Sequence, residues 1–207
     1  MAAPGARQHS WEMPDPERKP ESEDGPRFGL RVSENLLNAR TVLIYGEINT
    51  ALAERVSAQL LSLSAESSRP IRVLVHSQGG HVEAGYTIFD VIRAIEPPVK
   101  MIGTGWVVSA GALIFVAAPP EQRMCLPNTR FMLHQPLGGV GGPASDVEIE
   151  AAQITALRQR LNELFAGATG QDYEKIQRET ERNLWLTASE ARAYGLVSRV
   201  IQQLSEA

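Results

Sequence analysis

The chain has 207 residues, which is enough for one domain of ordinary size and short for two. Its 20 basic and 24 acidic side chains give a net charge of −4, so no basic excess exists to follow a phosphate backbone and nucleic acid is not an expected partner. A single cysteine, Cys125, excludes an intramolecular disulfide and suits a reducing compartment. No apolar run of about 18 residues and no signal-peptide pattern occurs, so we expect no membrane association and a cytoplasmic location.

The first 27 residues differ in composition from the rest of the chain. They contain five of the thirteen prolines and ten charged side chains but few apolar ones. Such a segment cannot bury enough apolar surface to offset the entropy lost on ordering. We therefore predict a disordered polar tail over residues 1–27 and one folded domain over residues 28–207.

Short β-branched runs alternate with helical patterns from Thr41 onward. Strands are predicted at residues 41–45, 71–75, 99–102, 130–133 and 196–200. Three helices are expected in the first half: one after caps at Asn49 and Thr50, one from Val82 to the prolines at 97–98, and one over 109–118. Three more follow. The first runs from a capping box at Ser145 and Glu148 to about Thr169, the second covers 172–182, and the third runs from a capping box at Thr187 and Glu190 to Gly195. This alternation favours an α/β fold with a largely parallel sheet and right-handed crossovers.

Unusual residues follow three successive predicted strands. Loops are expected at 76–81, 103–111 and 134–136, and functional loops of parallel sheets lie at the carboxyl ends of strands. Ser109, His134 and the pair Gly79-Gly80 therefore share one predicted site. A hydroxyl, a histidine base and backbone N–H donors are the parts that acyl transfer needs. Each feature alone also fits a structural role, as an N-cap, a structural histidine or a turn, and only the joint placement favours catalysis.

Other familiar sites are not supported by the spacing. Gly103-x-Gly105 lacks the third small residue of a dinucleotide fingerprint, because Val108 stands there. No phosphate-binding Gly-x-x-x-x-Gly-Lys-Ser/Thr run occurs, and Val107 interrupts the Gly-x-Ser-x-Gly elbow of α/β-hydrolases. His76 and His81 have no evident third ligand, so no zinc site is expected.

Eight stretches in one order resemble the ClpP family, the proteolytic subunits of the ATP-dependent Clp protease. The resemblance extends from about Phe28 to Ile201. The matching stretches are Gly79-Gly80 with Ala84-Gly85, Ser109–Ala112, Cys125–Asn128, His134–Gly139, Asp146–Glu150, Thr169–Gln171, Glu179–Arg182 and Ala193–Val197.

This resemblance implies a fold and an assembly. The fold is the ClpP/crotonase-like α/β fold of repeated strand-helix units, with the long helix as a protruding handle. Family subunits stack as two seven-membered rings around a closed chamber, into which an ATP-driven AAA+ unfoldase threads unfolded protein. ATP is used by that unfoldase, so no cofactor and no metal are expected on this chain.

The resemblance also implies site residues. Ser109 corresponds to the nucleophile and His134 to the general base. Asn183 stands where the family has the aspartate of its catalytic triad. By the same resemblance, the backbone N–H groups of Gly80 and Ala110 form the oxyanion hole. Gly79 and Leu137 lie on segments that line the extended substrate.

Two departures from the family pattern leave alternatives open. Asn183 lacks the negative charge of an aspartate, although Glu179, one helical turn earlier, offers a carboxylate nearby. The polar tail replaces the short apolar stretch that usually builds the axial pore loops. The leading hypothesis is a serine endopeptidase subunit. One alternative is a catalytically weak structural ring subunit that pairs with an active paralogue, and another is a crotonase-type enzyme that stabilises a thioester enolate.

The handle helix carries more apolar side chains than a solvated helix needs, so an oligomer is expected, of fourteen subunits by resemblance. The other interpretation is that these side chains pack on the sheet of their own subunit. They are Ile149, Ile154, Leu157, Leu161, Leu164 and Phe165.

Overall fold

The computed structural model describes residues 25–136, 139 and 141–207, with side chains from residue 29 onward. The chain divides into two units, of which the first ends at Asn35 and the second runs from Leu36 to Ala207. Helix α1 spans Gly25–Asn38 and so begins two residues before the predicted end of the tail. Pro26 suits the first turn of that helix because its missing N–H is not needed there. The predicted disorder of residues 1–24 lies outside the described residues.

Seven helices and seven strands follow one another in the described residues. The helices after α1 are α2 (Thr50–Glu66), α3 (Val82–Ala94), α4 (Ala110–Phe115), α5 (Ala144–Thr169), α6 (Tyr173–Glu179) and α7 (Ala188–Tyr194). The strands are β1 (Thr41–Ile48), β2 (Ile71–Gly80), β3 (Val99–Val108), β4 (Arg123–Cys125), β5 (Arg130–Leu133), β6 (Leu184–Thr187) and β7 (Arg199–Val200). Two short 3₁₀ turns cover Pro120–Gln122 and Leu204–Glu206.

The seven strands form one sheet, which is parallel apart from one pair. The strand order is β1-β2-β3-β4-β7, and β5 pairs with the carboxyl-terminal part of β3. Strand β3 is long enough to pair with β4 along Met101–Gly103 and with β5 along Trp106–Val108. Strand β6 runs antiparallel to β5. The predicted α/β class and parallel sheet are confirmed.

One face of the sheet carries the main core. Ile44, Val73 and Met101 are fully buried beneath α2, α3 and α4, which contribute side chains such as Leu60 and Ile88. Each such aliphatic side chain stabilises the fold by about 1.5–3 kcal/mol through its removal from water. Strand β3 has Ile102 next to Met101, and successive strand residues point to opposite faces. Ile102 accordingly belongs to a second, smaller apolar cluster.

Helix α5, the predicted handle, is anchored at its carboxyl-terminal end. Its buried residues are Leu161, Asn162 and Phe165. The buried guanidinium of Arg123 donates a hydrogen bond to the carbonyl of Ala168 in the last turn, where the helix dipole favours a cation. Burial lowers the pKa of Arg123 to about 10. The interpretation that the apolar residues pack within their own subunit is therefore confirmed for the carboxyl-terminal end. The amino-terminal part of the handle is exposed, including Ile149, and the expected contact with another subunit stays a prediction there.

Several predicted boundaries were wrong. The expected loops 76–81 and 103–111 are largely strand, because β2 continues to Gly80 and β3 to Val108. The predicted capping box at Ser145 and Glu148 is absent, since α5 starts earlier with Pro143 as its N-cap residue. Strands β4 and β6 were not predicted, being only three and four residues long. The helices expected over 109–118 and 172–182 and the strand expected over 196–200 are each shorter than predicted.

Other local predictions are confirmed. Asn49 caps α2 by accepting a hydrogen bond from the N–H of Leu52 at 2.9 Å. Thr187 and Glu190 form the predicted capping box of α7, and Gly195 ends that helix in the left-handed conformation that glycine favours.

Candidate active site

The carboxyl-terminal ends of β2, β3 and β5 surround a cavity of about 380 Å³. Parallel strands end at the same edge of a sheet, which brings their following residues together. The predicted site residues Gly80, Ser109, Ala110, His134 and Asn183 all line this cavity. The joint placement expected from the sequence is therefore present in the structure.

Ser109 sits in a strained turn between β3 and α4. Its φ of 56° and ψ of −121° are rare for a residue with a side chain. The turn is fixed by its backbone, because the Ser109 N–H donates to the carbonyl of Met132 at 3.0 Å and its carbonyl accepts from Ala112 and Leu113. Ser109 occupies the N-cap position of α4, but its side chain makes no capping hydrogen bond there, so the hydroxyl is available for chemistry.

That hydroxyl is hydrogen-bonded to His134. The distance between Ser109 Oγ and His134 Nε2 is 2.7 Å. When the serine hydroxyl donates, Nε2 accepts and the ring proton lies on Nδ1. The imidazole is half-buried, and this desolvation lowers its pKa from the ordinary value of 6.5. Burial thus favours the neutral ring, which is the form able to take a proton from a hydroxyl.

Asn183 is brought to His134 by the antiparallel pairing of β5 with β6. The ladder runs from Arg130 opposite Thr187 to Leu133 opposite Leu184. One further step along this register places His134 opposite Asn183, and directly opposed residues of an antiparallel pair share one face.

Gln135 holds the segment before Asn183 against the end of β5. Its backbone N–H donates to the carbonyl of Thr180 and its side-chain amide donates to the carbonyl of Glu181, both at 2.9 Å. Asn183 is itself solvent-exposed in the single subunit. The orientation of the strand end therefore depends on backbone contacts and not on burial of Asn183.

Glu179, considered as a substitute carboxylate, is engaged elsewhere. It accepts a hydrogen bond from the hydroxyl of Tyr194 at 2.6 Å, which ties α6 to α7. Burial, reinforced by Glu179, raises the pKa of Tyr194 well above its usual value. The expectation that Glu179 assists His134 is therefore not supported.

Gly79 and Gly80 adopt conformations that a side chain would not tolerate. Their φ values are +99° and +148°. A Cβ at Gly79 would lie 2.6 Å from the Cβ of Ser109, and one at Gly80 would overlap the backbone of Ile48. Two glycines thus allow the end of β2 to approach both the nucleophilic turn and β1.

Backbone N–H groups are available beside Ser109 for a developing negative charge. Ala110 is the first residue of α4, and the first N–H groups of a helix have no acceptor within that helix. Gly80 lines the same cavity from the end of β2. A hydroxyl bonded to a neutral base, with N–H donors on either side, is the arrangement that acyl transfer requires.

The rest of the cavity has apolar walls that sequence reasoning did not identify. They come from α3, α4, α5 and β5, so no single sequence segment indicates them. The apolar lining residues are Val82, Leu113, Met132, Leu161 and Phe165.

Leu137 lies outside the described residues. Within the part of the chain that the structure describes, no group of three or more His, Cys, Asp or Glu side chains is arranged to hold a metal ion. No helix in those same residues has the length and apolar character needed to cross a bilayer.

Comparisons with known proteins agree with this geometry. A family model described as Clp protease matches residues 26–204. ATP-dependent Clp protease proteolytic subunit 2 from Gluconobacter oxydans is 52% identical over 200 residues, covering 94% of this chain and 89% of the relative. Proteolytic subunit 3 from Rhizobium etli is 53% identical over 189 residues, covering 91% of this chain and 97% of the relative.

Solved structures of ClpP1 from Listeria monocytogenes resemble the fold. ClpP1 itself superposes with a TM-score of 0.77 at 51% identity, and an Asn-to-Asp mutant with a TM-score of 0.79 at 52% identity. Each alignment covers 84% of this chain and 98% of the other.

Proposed function

The chain belongs to the Clp protease family, as a proteolytic subunit with serine endopeptidase activity, and we propose that it cleaves peptide bonds through an acyl-enzyme on Ser109. The observation that carries this assignment is the 2.7 Å hydrogen bond between Ser109 Oγ and His134 Nε2, made in a strained turn beside a cavity. The nucleophile and its base are already in contact, so little rearrangement is needed before attack.

In the first half of the reaction, Ser109 Oγ attacks the carbonyl carbon of the scissile peptide bond while its proton passes to His134 Nε2. The carbonyl oxygen becomes an oxyanion that the N–H groups of Gly80 and Ala110 stabilise. The protonated imidazole then gives its proton to the leaving amine as the carbon–nitrogen bond breaks. The product with the new amino terminus departs, and an ester to Ser109 remains.

The second half uses the same groups with water as the nucleophile. His134 takes a proton from water as the oxygen attacks the ester, and the oxyanion forms again beside the two N–H groups. Collapse of this intermediate returns the proton to Ser109 Oγ and releases the carboxylic acid product. The lowered pKa of His134 keeps the ring neutral, as required at the start of each half.

Asn183 takes the place of the third triad residue. We propose that its carbonyl oxygen accepts the Nδ1–H of His134 during catalysis and holds the ring in the tautomer that serves Ser109; in the structure the ring is hydrogen-bonded to Ser109. An amide supplies no full negative charge opposite the imidazolium, so the peptidase is expected to be slow. The alternative of a purely structural ring subunit depends on Asn183 alone, whereas the contact between Ser109 and His134 favours the enzyme.

The apolar walls of the cavity support a preference for an apolar substrate side chain next to the scissile bond. Burying such a side chain against Leu113, Leu161 and Phe165 contributes binding energy of about 1.5–3 kcal/mol. Gly79 lies on the segment proposed to bind the extended substrate backbone, together with Leu137.

Proteins of this family work with Clp ATPases in ATP-dependent complexes. We propose two stacked heptameric rings of this chain or a paralogue, an AAA+ unfoldase as the docking partner, unfolded proteins as substrates and the cytoplasm as the place of action. The exposed apolar residues of the handle, such as Ile149, support the ring contact.

Labelling with a fluorophosphonate probe tests the catalytic assignment. The purified, assembled protein is incubated with the probe, and the modified residue is identified by mass spectrometry. Labelling of Ser109, lost in Ser109→Ala and reduced in His134→Ala, is expected. An assembled sample with no labelling at Ser109 would instead support the structural ring subunit.

A further inference from the structure

The hydrogen-bond ladder between β2 and β3 is interrupted beside the catalytic cavity. Val75 pairs with Gly103 and the pairing resumes with Ser77 opposite Val107, so His76 alone faces three residues of β3. This is a β-bulge, a feature that proteins often use next to active sites to redirect a strand.

The imidazole of His76 replaces the missing backbone partner in the bulge. Its Nδ1 lies 3.1 Å from the backbone nitrogen of Trp106 and 3.3 Å from the carbonyl oxygen of Thr104. A backbone N–H can only donate, so Nδ1 is the acceptor in the shorter contact, with Trp106. Gly105, with a φ of +56°, passes so close that a Cβ there would overlap this nitrogen.

The bond joins the two strands that supply the catalytic groups. Trp106 precedes Ser109 by three residues on β3, and His76 precedes Gly80 by four residues on β2. Ser77, the next residue after His76, is fully buried, and its Oγ donates to the carbonyl of Gly46 and accepts from the N–H of Gly79. The β2 side of the bulge is therefore fixed by Ser77. On the β3 side, Trp106–Val108 pairs with β5, and His76 adds the contact that ties this segment to β2.

We propose that His76 is a positioning residue for catalysis. By accepting the N–H of Trp106, it holds the bulge that sets where β3 delivers Ser109 relative to the oxyanion donor at the end of β2. The proposal rests on the peptidase activity proposed above. His76 itself touches no reacting atom, so its effect appears in the turnover step more than in substrate binding.

The test compares His76→Ala, which removes the acceptor, with His76→Asn, whose amide oxygen can accept the same N–H. His81→Ala serves as the matched control, because His81 is exposed and makes no capping hydrogen bond with its side chain. Misplacement by about 1 Å costs roughly 100-fold in rate, so His76→Ala is expected to lower kcat by at least about tenfold with a nearly unchanged KM. His76→Asn is expected to restore kcat to within about threefold of wild type.

Hydrogen exchange measured by mass spectrometry gives a readout that needs no activity. Exchange in a peptide containing Trp106 is expected to be faster in His76→Ala than in wild type and His76→Asn. Equal exchange in all three would overturn the proposal, as would an unchanged kcat in His76→Ala.

A second substitution approaches the same bond from β3. Gly105→Ala pushes a methyl group against His76, and it is expected to lower kcat far less in a His76→Ala background, where the ring is gone. Additive effects would contradict the proposal. If Gly105→Ala fails to assemble, the comparison of His76→Ala with His76→Asn still tests it. Ser109→Ala is measured in parallel. If Ser109→Ala retains turnover, the proposed peptidase activity is refuted. If Ser109→Ala loses turnover while the His76 variants keep it, only the role of His76 is refuted.

Discussion

Replacing Asn183 by aspartate should make the peptidase faster. The strand register places residue 183 opposite His134, where a carboxylate accepts the Nδ1–H and stabilises the imidazolium formed during attack. The amide of Asn183 offers the same hydrogen bond without the charge. The difference in turnover rate between wild type and Asn183→Asp therefore measures how much a negative charge at residue 183 contributes to catalysis.

The expected increase in rate has an upper and a lower bound. In the serine-protease example of this triad, the change from aspartate to asparagine costs about four decades in rate. Opposite charges about 4 Å apart attract by about 4 kcal/mol at an effective dielectric constant of 20. Asn183 is exposed, so solvent screens the added charge and the lower part of this range applies. We expect at least a tenfold rise in turnover, equal to about 1.4 kcal/mol of barrier.

The assay is hydrolysis of a small fluorogenic peptide by protein whose assembly is verified by sedimentation. Asn128→Asp is the matched control, because it adds the same charge at an exposed position outside the cavity. The new carboxylate should also raise the pKa of His134, so the loss of activity at acid pH should begin at a higher pH than in wild type.

An unchanged or lower rate in an assembled Asn183→Asp ring would refute this reasoning. Residue 183 would then not be the orienting group, and the triad assignment would fail at that position. Asn183→Ala separates the two contributions further: it should fall below wild type, because the ring loses its orienting acceptor as well.

Four further predictions concern other parts of the molecule. Because burial lowers the pKa of His134, the acid limb of kcat/KM should have its midpoint below 6.5, and a midpoint above that value contradicts the buried base. Gly80→Ala keeps the backbone N–H but its Cβ would overlap the backbone of Ile48, so the proposed oxyanion donor should be displaced and kcat should fall by about 100-fold or more in steady-state kinetics; wild-type turnover would exclude Gly80 from the oxyanion hole. Sedimentation at micromolar concentration should show a large assembly, since the exposed end of α5 carries the apolar side chains of Val147 and Ile149, and a monomer rules out the ring. Deleting residues 1–24 should shift the melting temperature by no more than a few degrees, as expected for a polar terminus, whereas a large drop shows that the segment is packed.

Elements with a strong local signal were predictable from the sequence. The cap at Asn49, the capping box at Thr187 and the stop at Gly195 each depend on contacts between residues close in sequence. Ser109 and His134 were also placed in one site from the sequence, because each lies in the segment that follows a predicted strand. Local chemistry and the edge rule for parallel sheets are sufficient for these features.

Features that depend on strand pairing could not be predicted from patterns in the sequence. Strand β6 is recognisable only through its partner β5, and that pairing is what brings Asn183 to His134. The continuation of β3 past Gly103 likewise depends on pairing with β2 and β5, because glycines at 103 and 105 predict a loop. The engagement of Glu179 by Tyr194 follows from the packing of α7 on α6, which no spacing within one segment reveals.

The antiparallel partnership of β5 and β6 also bears on biosynthesis. A chain emerges amino terminus first, so β1, β2 and β3 with their helices are synthesised well before β6. The nucleophile and its base thus exist in the nascent chain without their orienting residue. Asn183 immediately precedes β6, so on the proposed role of Asn183 the complete site forms only after most of the polypeptide has been synthesised.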